Sequence, residues 1–253
     1  MFLSSYAEIG FLNAMRNITF SAPSQVFCGL FLSSPTETGT GGTEISYPGY
    51  VRMPITFNPP TPEGTGIGIR NSEQATFPQS DENAGTVRHI GIFDSATGGN
   101  MYLYGQLTDD LPVQAGESPV LLINEILFFS IGDMSMSYKT KLFNVIRGTT
   151  LQGFRSYFSL YNGDPQNGGS ELVGDNYARV LLVFSAPLED TSGLSIIRNT
   201  ADVNFNRPTG SWGNWTHSAI VDAATSGEPV WIQQRTTHIA WISWKKNRTS
   251  ITT

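Results

Sequence analysis

The chain repeats itself, and this constrains its fold more than any other feature. HIGIFDSATGG at 89–99 reads without a gap onto HSAIVDAATSG at 217–227. GYVRMPITF (49–57) reads onto NYARVLLVF (176–184), and RNSEQATF (70–77) onto RNTADVNF (198–205). LFLSSP (30–35) matches LYNGDP (160–165), and LNAMRN (12–17) matches FNVIRG (143–148). The segments keep one order and their spacing drifts by only a few residues, so one folding unit is duplicated in tandem. The junction falls near 133–138, after an apolar run and before KTKLFNVIRG. Two domains are expected, 1–136 and 137–253, each of ordinary size with its own core.

Local patterning gives the class. Each copy opens with apolar residues at helical spacing: Tyr6, Ile9, Leu12 and Met15, then Leu142, Val145 and Ile146. After these short helices the pattern changes to strands. VFCGLFL and RSYFSLY are aromatic and β-branched runs that end in SSPTETGTGG and NGDPQNGG. VRMPITF and ARVLLVF follow, with Pro54 marking an edge or bulged strand. Next come ATF and DVNF, RHIGIFD and THSAIVD, MYLYGQL and PVWIQQR, and finally LLINEILFF and HIAWISW. Strands separated by turns and not by long helices predict a mostly all-β chain: two tandem antiparallel β-sandwich or Greek-key domains, each with a short N-terminal helix.

Composition narrows the function. Net charge is −6, which argues against a nucleic-acid partner, and the one basic cluster, Lys245, Lys246 and Arg248, is short. No apolar stretch approaches the ~20 residues of a membrane span, and the first ten residues lack the pattern of a secretory signal. A single cysteine, Cys28, excludes an intrachain disulfide and a multi-cysteine zinc site; in VFCGLFL it reads as a small buried hydrophobe. No cofactor is expected, because GTGIGIR lacks the strand–helix context of a dinucleotide loop and no GxxxxGK[ST] occurs.

Several charged residues recur at matching places in the copies. His89 and His217 are each followed five residues later by an acid, Asp94 and Asp222. On an extended strand such a pair lies on opposite faces and about 16 Å apart, so no catalytic dyad forms. The histidines read as structural, and the aspartates as turn residues that bond nearby backbone N–H groups, with Gly99 and Gly227 supplying positive φ. Arg52 and Arg179 follow Tyr50 and Tyr177 by two residues, and their expected partners are Glu44 and Glu171 in the preceding turns. Arg70 with Asn71, and Arg198 with Asn199, fit a similar turn-fixing role. Three histidines and one cysteine cannot furnish two equivalent zinc sites. The acids Glu37, Asp81, Glu82, Asp109 and Asp110 sit in turn-like surroundings and read as solvated; catalysis at Asp109 or Asp110 is the enzyme alternative.

All five tryptophans belong to the second copy. Trp231 and Trp241 lie in expected strands and read as core. Trp212 and Trp215, in GSWGNW, read as loop residues suited to a protein interface or, alternatively, to stacking on a host-surface glycan.

The strand ending LFLSSP, the segment GTEISYPGYVR, RNSEQATFP, HIGIFDSATGGN and YLYGQLT together resemble a family of tailed-bacteriophage virion proteins described as tail-fibre-like. Residues 24–136 carry the resemblance strongly and 139–253 more weakly, with YNGDP for LFLSSP and DNYAR for PGYVR. The resemblance implies a non-enzymatic structural component of a phage virion, assembled in the host cytoplasm, whose partners are other virion proteins and further copies of the chain. It favours a tail-associated role of fibre, baseplate or adaptor type; capsid decoration and a glycan-binding module are the alternatives. It brings no catalytic residues.

Overall fold

A computed structural model describes residues 2–130, 132–189 and 195–235. The strand expected over HIAWISW, Trp241, and the cluster Lys245, Lys246 and Arg248 lie outside the described residues. The first copy contains β1 (Phe2–Leu3), α1 (Ser5–Ala14), β2 (Val26–Phe31), β3 (Met53–Ile55), β4 (Thr61–Glu63), β5 (Gly66–Arg70), β6 (Ala75–Thr76), β7 (Gly85–Phe93), β8 (Met101–Val113), β9 (Val120–Leu121) and β10 (Leu127–Ser130). The second contains α2 (Met136–Ile146), β11 (Ser156–Asn162), β12 (Ser170–Glu171), β13 (Val180–Leu182), β14 (Leu188–Glu189), β15 (Ser195–Ile196), β16 (His217–Val221) and β17 (Pro229–Gln234). The protein is mostly β and antiparallel, and a short helix leads each copy.

The duplication is visible in the ladders residue by residue. In the first copy Val26, Phe27 and Cys28 pair with Ile55, Pro54 and Met53; in the second Ser156, Tyr157 and Phe158 pair with Leu182, Leu181 and Val180. Phe27↔Phe93 and Phe31↔His89 are matched by Tyr157↔Val221 and Tyr161↔His217. Even the irregularity between Ile92 and Phe93 recurs between Ile220 and Val221. A slip of one residue would exchange the two faces of a strand, so this shared register means that equivalent side chains point to equivalent faces in both copies.

By their contacts the residues form two compact units. Unit 1 comprises Met1–Phe11, Thr19–Ile131 and Met136–Gln152; unit 2 comprises Leu12–Ile18, Gly132–Ser135 and Gly153–Thr253. The principal sheet of unit 1 has the order β1-β8-β7-β2-β3 and is buried on both faces. On one face lie Cys28, Leu30, Ile90, Ile92 and Leu103; on the other, Phe31, Phe93, Met101 and Tyr104 cluster. A second sheet, β10-β5-β4, contributes Ile67, Ile69 and Phe128, and the Phe128 ring meets Phe57 edge-on at 6.0 Å. The run LLINEILFF is therefore not one strand. A turn at 122–125, with Asn124 at φ 61°, divides β9 from β10.

α1 starts at Ser4, whose Oγ accepts the Ala7 N–H at 3.2 Å. It ends at Asn17, left-handed at φ 64°, as α2 ends at Gly148, φ 90°. Its buried side chains are Ala7, Glu8, Phe11, Leu12, Ala14 and Met15, whereas Tyr6 is exposed, so the buried face is broader than the expected stripe. α2 lies in unit 1 against β5, with Tyr138, Lys139, Leu142 and Phe143 buried. Lys139 and Glu8, both buried, hold equivalent places in the two helices.

The main sheet of unit 2 has the order β12-β11-β16-β17, with β13 on β11. Its cluster of Tyr161, Ala219, Val221 and Ile232 stands where unit 1 has Phe31, Gly91, Phe93 and Tyr104. The smaller Val221 is accompanied by a methyl where unit 1 has glycine, which keeps the layer filled. DVNF, expected as a strand, has no ladder partner among the described residues. Trp231 is buried in β17.

Each unit is completed by a segment from the other repeat. In unit 1 the Arg147 Nε–H donates to the Phe57 carbonyl at 3.1 Å, and Phe20 and Leu151 exchange backbone bonds at 2.9 and 3.0 Å. In unit 2 the Arg16 Nε–H donates to the Phe184 carbonyl at 3.4 Å, and the Ser156 hydroxyl to the Met15 carbonyl at 2.8 Å. Arg16 and Arg147 occupy the matched segments LNAMRN and FNVIRG, and each also bonds the helix asparagine three residues back at 2.6 Å.

Candidate functional site

The residues most strongly marked by the repeat form one charged cluster per unit. In unit 1 the Arg52 guanidinium grips Glu44 with two bonds of 2.8 Å, Nε to Oε1 and Nη2 to Oε2. Its remaining nitrogen, Nη1, donates to the carbonyls of Gly98 at 2.7 Å and Ser95 at 3.3 Å. The guanidinium lies 3.5 Å from the centre of the Phe93 ring. Arg52 is only 9% exposed, and a charge so placed persists because a carboxylate, carbonyls and a ring face together replace water.

Unit 2 rebuilds the arrangement. Arg179 bonds Glu171 at 2.9 and 2.7 Å and the carbonyls of Ala223, at 2.7 Å, and Ser226. Val221 stands where unit 1 has Phe93, so at this position the ring beneath Arg52 has no counterpart. Hydrogen bonding to Glu171 raises the Arg179 pKa further above its ordinary value.

A tyrosine completes each cluster. The Tyr50 hydroxyl accepts from the Leu30 N–H at 2.9 Å and donates to Glu44 at 3.1 Å. Tyr177 does the same with Leu160 at 3.0 Å and Glu171 at 3.2 Å. Burial first, then the neighbouring carboxylate, raises both phenols above their ordinary pKa, so each remains a donor. The role of these tyrosines was visible only as the repeated Tyr-x-Arg spacing.

Asp94 and Asp222 close the loops that supply those carbonyls. Asp94 accepts from the Asn100 backbone at 2.7 Å and its amide at 2.8 Å; Asp222 accepts from the Glu228 N–H at 2.7 Å. They reach six residues on, so each spans a whole loop. Gly99 and Gly227 both sit at φ 75°, and a Cβ on either would come 2.4 Å from the aspartate oxygen.

The histidines take no part in this. His89 lies between Phe31 and Gln106 in the ladder, and its buried Nδ1 has no partner among the described residues. Burial, then Arg88, pushes its pKa down. The His217 Nδ1 is 3.0 Å from the Thr216 hydroxyl. Cys28 is fully buried and its thiol is pushed up to about 12, by burial before the charge of Glu44. Asp110 forms an exposed pair with Arg88 at 3.2 Å. Among the described residues no cluster of three or more His, Cys, Asp or Glu could hold a metal, and no helix is long and apolar enough to cross a membrane.

Arg70 bonds Glu63 at 3.2 Å and the Asn124 carbonyl at 3.2 Å. Asn71, fully buried, is a clamp. Its Oδ1 accepts the Ile126 N–H at 2.9 Å, and its Nδ2 donates to the Glu73 and Leu122 carbonyls, both at 2.8 Å. Asn199 retains the local bond, to the Ala201 carbonyl at 2.7 Å, and is exposed.

The two loop tryptophans have packing roles. Trp212 meets Tyr177 edge-on at 5.2 Å and Phe205 at 5.9 Å, and its Nε1–H donates to the Asp175 carbonyl at 2.9 Å. Arg235 covers Trp215 at 4.5 Å. The cluster in each unit therefore staples two turns to the sheet and presents no uncommitted nucleophile or base. What is left open is surface. Val173, Leu181, Val183 and Leu188 are exposed where the first copy has Ser46, Pro54, Thr56 and Thr61.

No curated protein matches the chain. The profile of one family, described as podophage GP4 fiber I protein gp80, matches it twice, over residues 2–128 and 133–240. The two matches divide as the internal repeat does, and the chain belongs to this phage fibre family, of which it carries two successive copies.

Proposed function

We propose that the protein is a non-enzymatic structural component of a tailed-phage virion, tail-associated and of fibre, baseplate or adaptor type. It works by burying surface against other virion subunits and copies of itself. The observation that carries this reading is the double match to a fibre family across nearly the whole described chain. The geometry is in keeping with it. The charged clusters are closed by their own partners, and the aliphatic side chains on and beside β13 and β14 of unit 2 form the kind of surface that protein contacts cover. Trp212 is committed to packing, which favours protein contact over sugar stacking.

Immunogold labelling of purified particles tests the placement. A ring or a few spikes at the tail is the expected image; label over the whole capsid assigns a decoration role instead, and unlabelled particles remove the virion role. Leu181→Ser with Val183→Ser, on an exposed edge, should lower incorporation into particles while shifting stability by less than about 0.5 kcal/mol.

A further inference from the structure

The two edges of the main sheet of unit 2 differ. At one edge β17 is covered: the Ile232 N–H donates to the Asp133 carbonyl at 2.8 Å, and the Ser135 N–H to the Val230 carbonyl at 2.9 Å. At the other, β13 pairs with β11 alone among the described residues. The groups it presents follow from β11. Leu160 faces this edge, since its N–H donates to the Tyr177 hydroxyl at 3.0 Å and its carbonyl accepts the Leu172 N–H at 2.9 Å. Backbone groups alternate in direction along a strand, so Ser156 and Phe158 face the same way, toward Leu182 and Val180. Leu181, between those two, turns its N–H and carbonyl away from β11, and neither has a partner among the described residues.

In unit 1 the same position is sealed. Pro54 stands opposite Phe27 as Leu181 stands opposite Tyr157, and proline has no N–H to offer an incoming strand. The change to leucine comes with aliphatic exposure: Leu181 is 47% and Val183 56% exposed, where unit 1 has Pro54 and Thr56.

We infer that β13 is the seam of a two-fold dimer, pairing antiparallel with β13 of a second copy about Leu181. The chemistry of the edge chooses this occupant. Outward N–H and carbonyl groups at strand spacing fit another strand, and residues 180–188 carry no charge, so self-pairing sets no like charges opposite each other. With Leu181 on the axis, its N–H and carbonyl bond those of its own equivalent, and the two leucine side chains meet on the exposed face. Pro54 denies unit 1 the same contact, so association closes at two and does not run on as an open chain. The inference rests on the reading that the chain binds copies of itself, and it names the surface.

Sedimentation of the purified full chain at rising concentration tests it. Monomer should pass to dimer, with no larger species. Leu181→Pro, which rebuilds the edge of unit 1, should weaken the dimer about tenfold or more. Leu181→Lys and Leu181→Glu chains should each stay monomeric, and their equimolar mixture should dimerise. The mixture decides the matter even where Leu181→Pro disturbs folding, because only a contact that sets residue 181 against itself is broken by either charge and restored by both together. A folded Leu181→Pro chain that dimerises as before, larger open assemblies, or a mixture that stays monomeric overturns the inference. So does a parent chain that is monomeric throughout, which gives the edge to a strand of a different subunit; the virion reading itself falls only with unlabelled particles.

Discussion

The two units keep the same ladders and the same arginine staple, yet differ in the apolar side chains packed around them. β2 and β11 pair with their neighbours in one register, and Arg52 and Arg179 bind equivalent partners. The apolar side chains around the staple differ: Phe31, Gly91, Phe93 and Tyr104 of unit 1 give way to Tyr161, Ala219, Val221 and Ile232 in unit 2. The difference separates two kinds of constraint. A buried arginine must keep its carboxylate, because removing either leaves an unpaired charge, whereas an apolar layer tolerates substitution so long as it is filled.

Four experiments would break or sharpen this comparison. They use the fact that every tryptophan lies in the second copy, so tryptophan fluorescence follows unit 2. Arg52→Ala should have the largest effect, about 3 kcal/mol, because it strips Glu44 and two carbonyls of their partner. Arg179→Ala should cost about 1 kcal/mol less, since Val221 stands where the Phe93 ring lies beneath Arg52. Equal losses in urea titrations would show that the Phe93 contact contributes nothing.

Next in size are Gly99→Ala and Gly227→Ala, each about 1–2 kcal/mol and alike, because both positions have the same positive φ and the same aspartate beneath. A clear inequality would mean that one loop relaxes and the other cannot.

Arg16→Ala and Arg147→Ala should cost about 1 kcal/mol each, in crossed fashion. Arg16, from the first repeat, should shift the tryptophan-detected transition; Arg147, from the second, should leave it in place and loosen unit 1 in hydrogen exchange. The opposite assignment would refute the exchange of segments.

The smallest effect near neutrality concerns alkali. Tyr50, Tyr102, Tyr104 and Cys28 of unit 1 all have raised pKa values, through burial first, so the native state holds protons that the unfolded chain releases. Stability from these groups is whole below their ordinary values of about 9 to 10 and declines as pH rises beyond them. Unit 2 has fewer such groups, Tyr161 and Tyr177, so unit 1 should lose stability first between pH 9 and 11. Unit 2 yielding first would overturn this.

Much of this was legible without coordinates. The repeat gave two β-rich copies, each led by a helix, and matching positions paired Arg52 with Glu44 and Arg179 with Glu171. These features are local or duplicated, and a strand's alternation or a turn's glycine leaves its mark within a few residues. The sequence also showed LNAMRN and FNVIRG as a matched pair, but not that residues 12–18 complete unit 2 while 136–152 complete unit 1. Nor did it show that Asn71 clamps Ile126, or that Asp94 spans its loop. Those outcomes depend on which apolar faces meet across long stretches of chain. Burial has no direction along the sequence, so only the folded packing decides them.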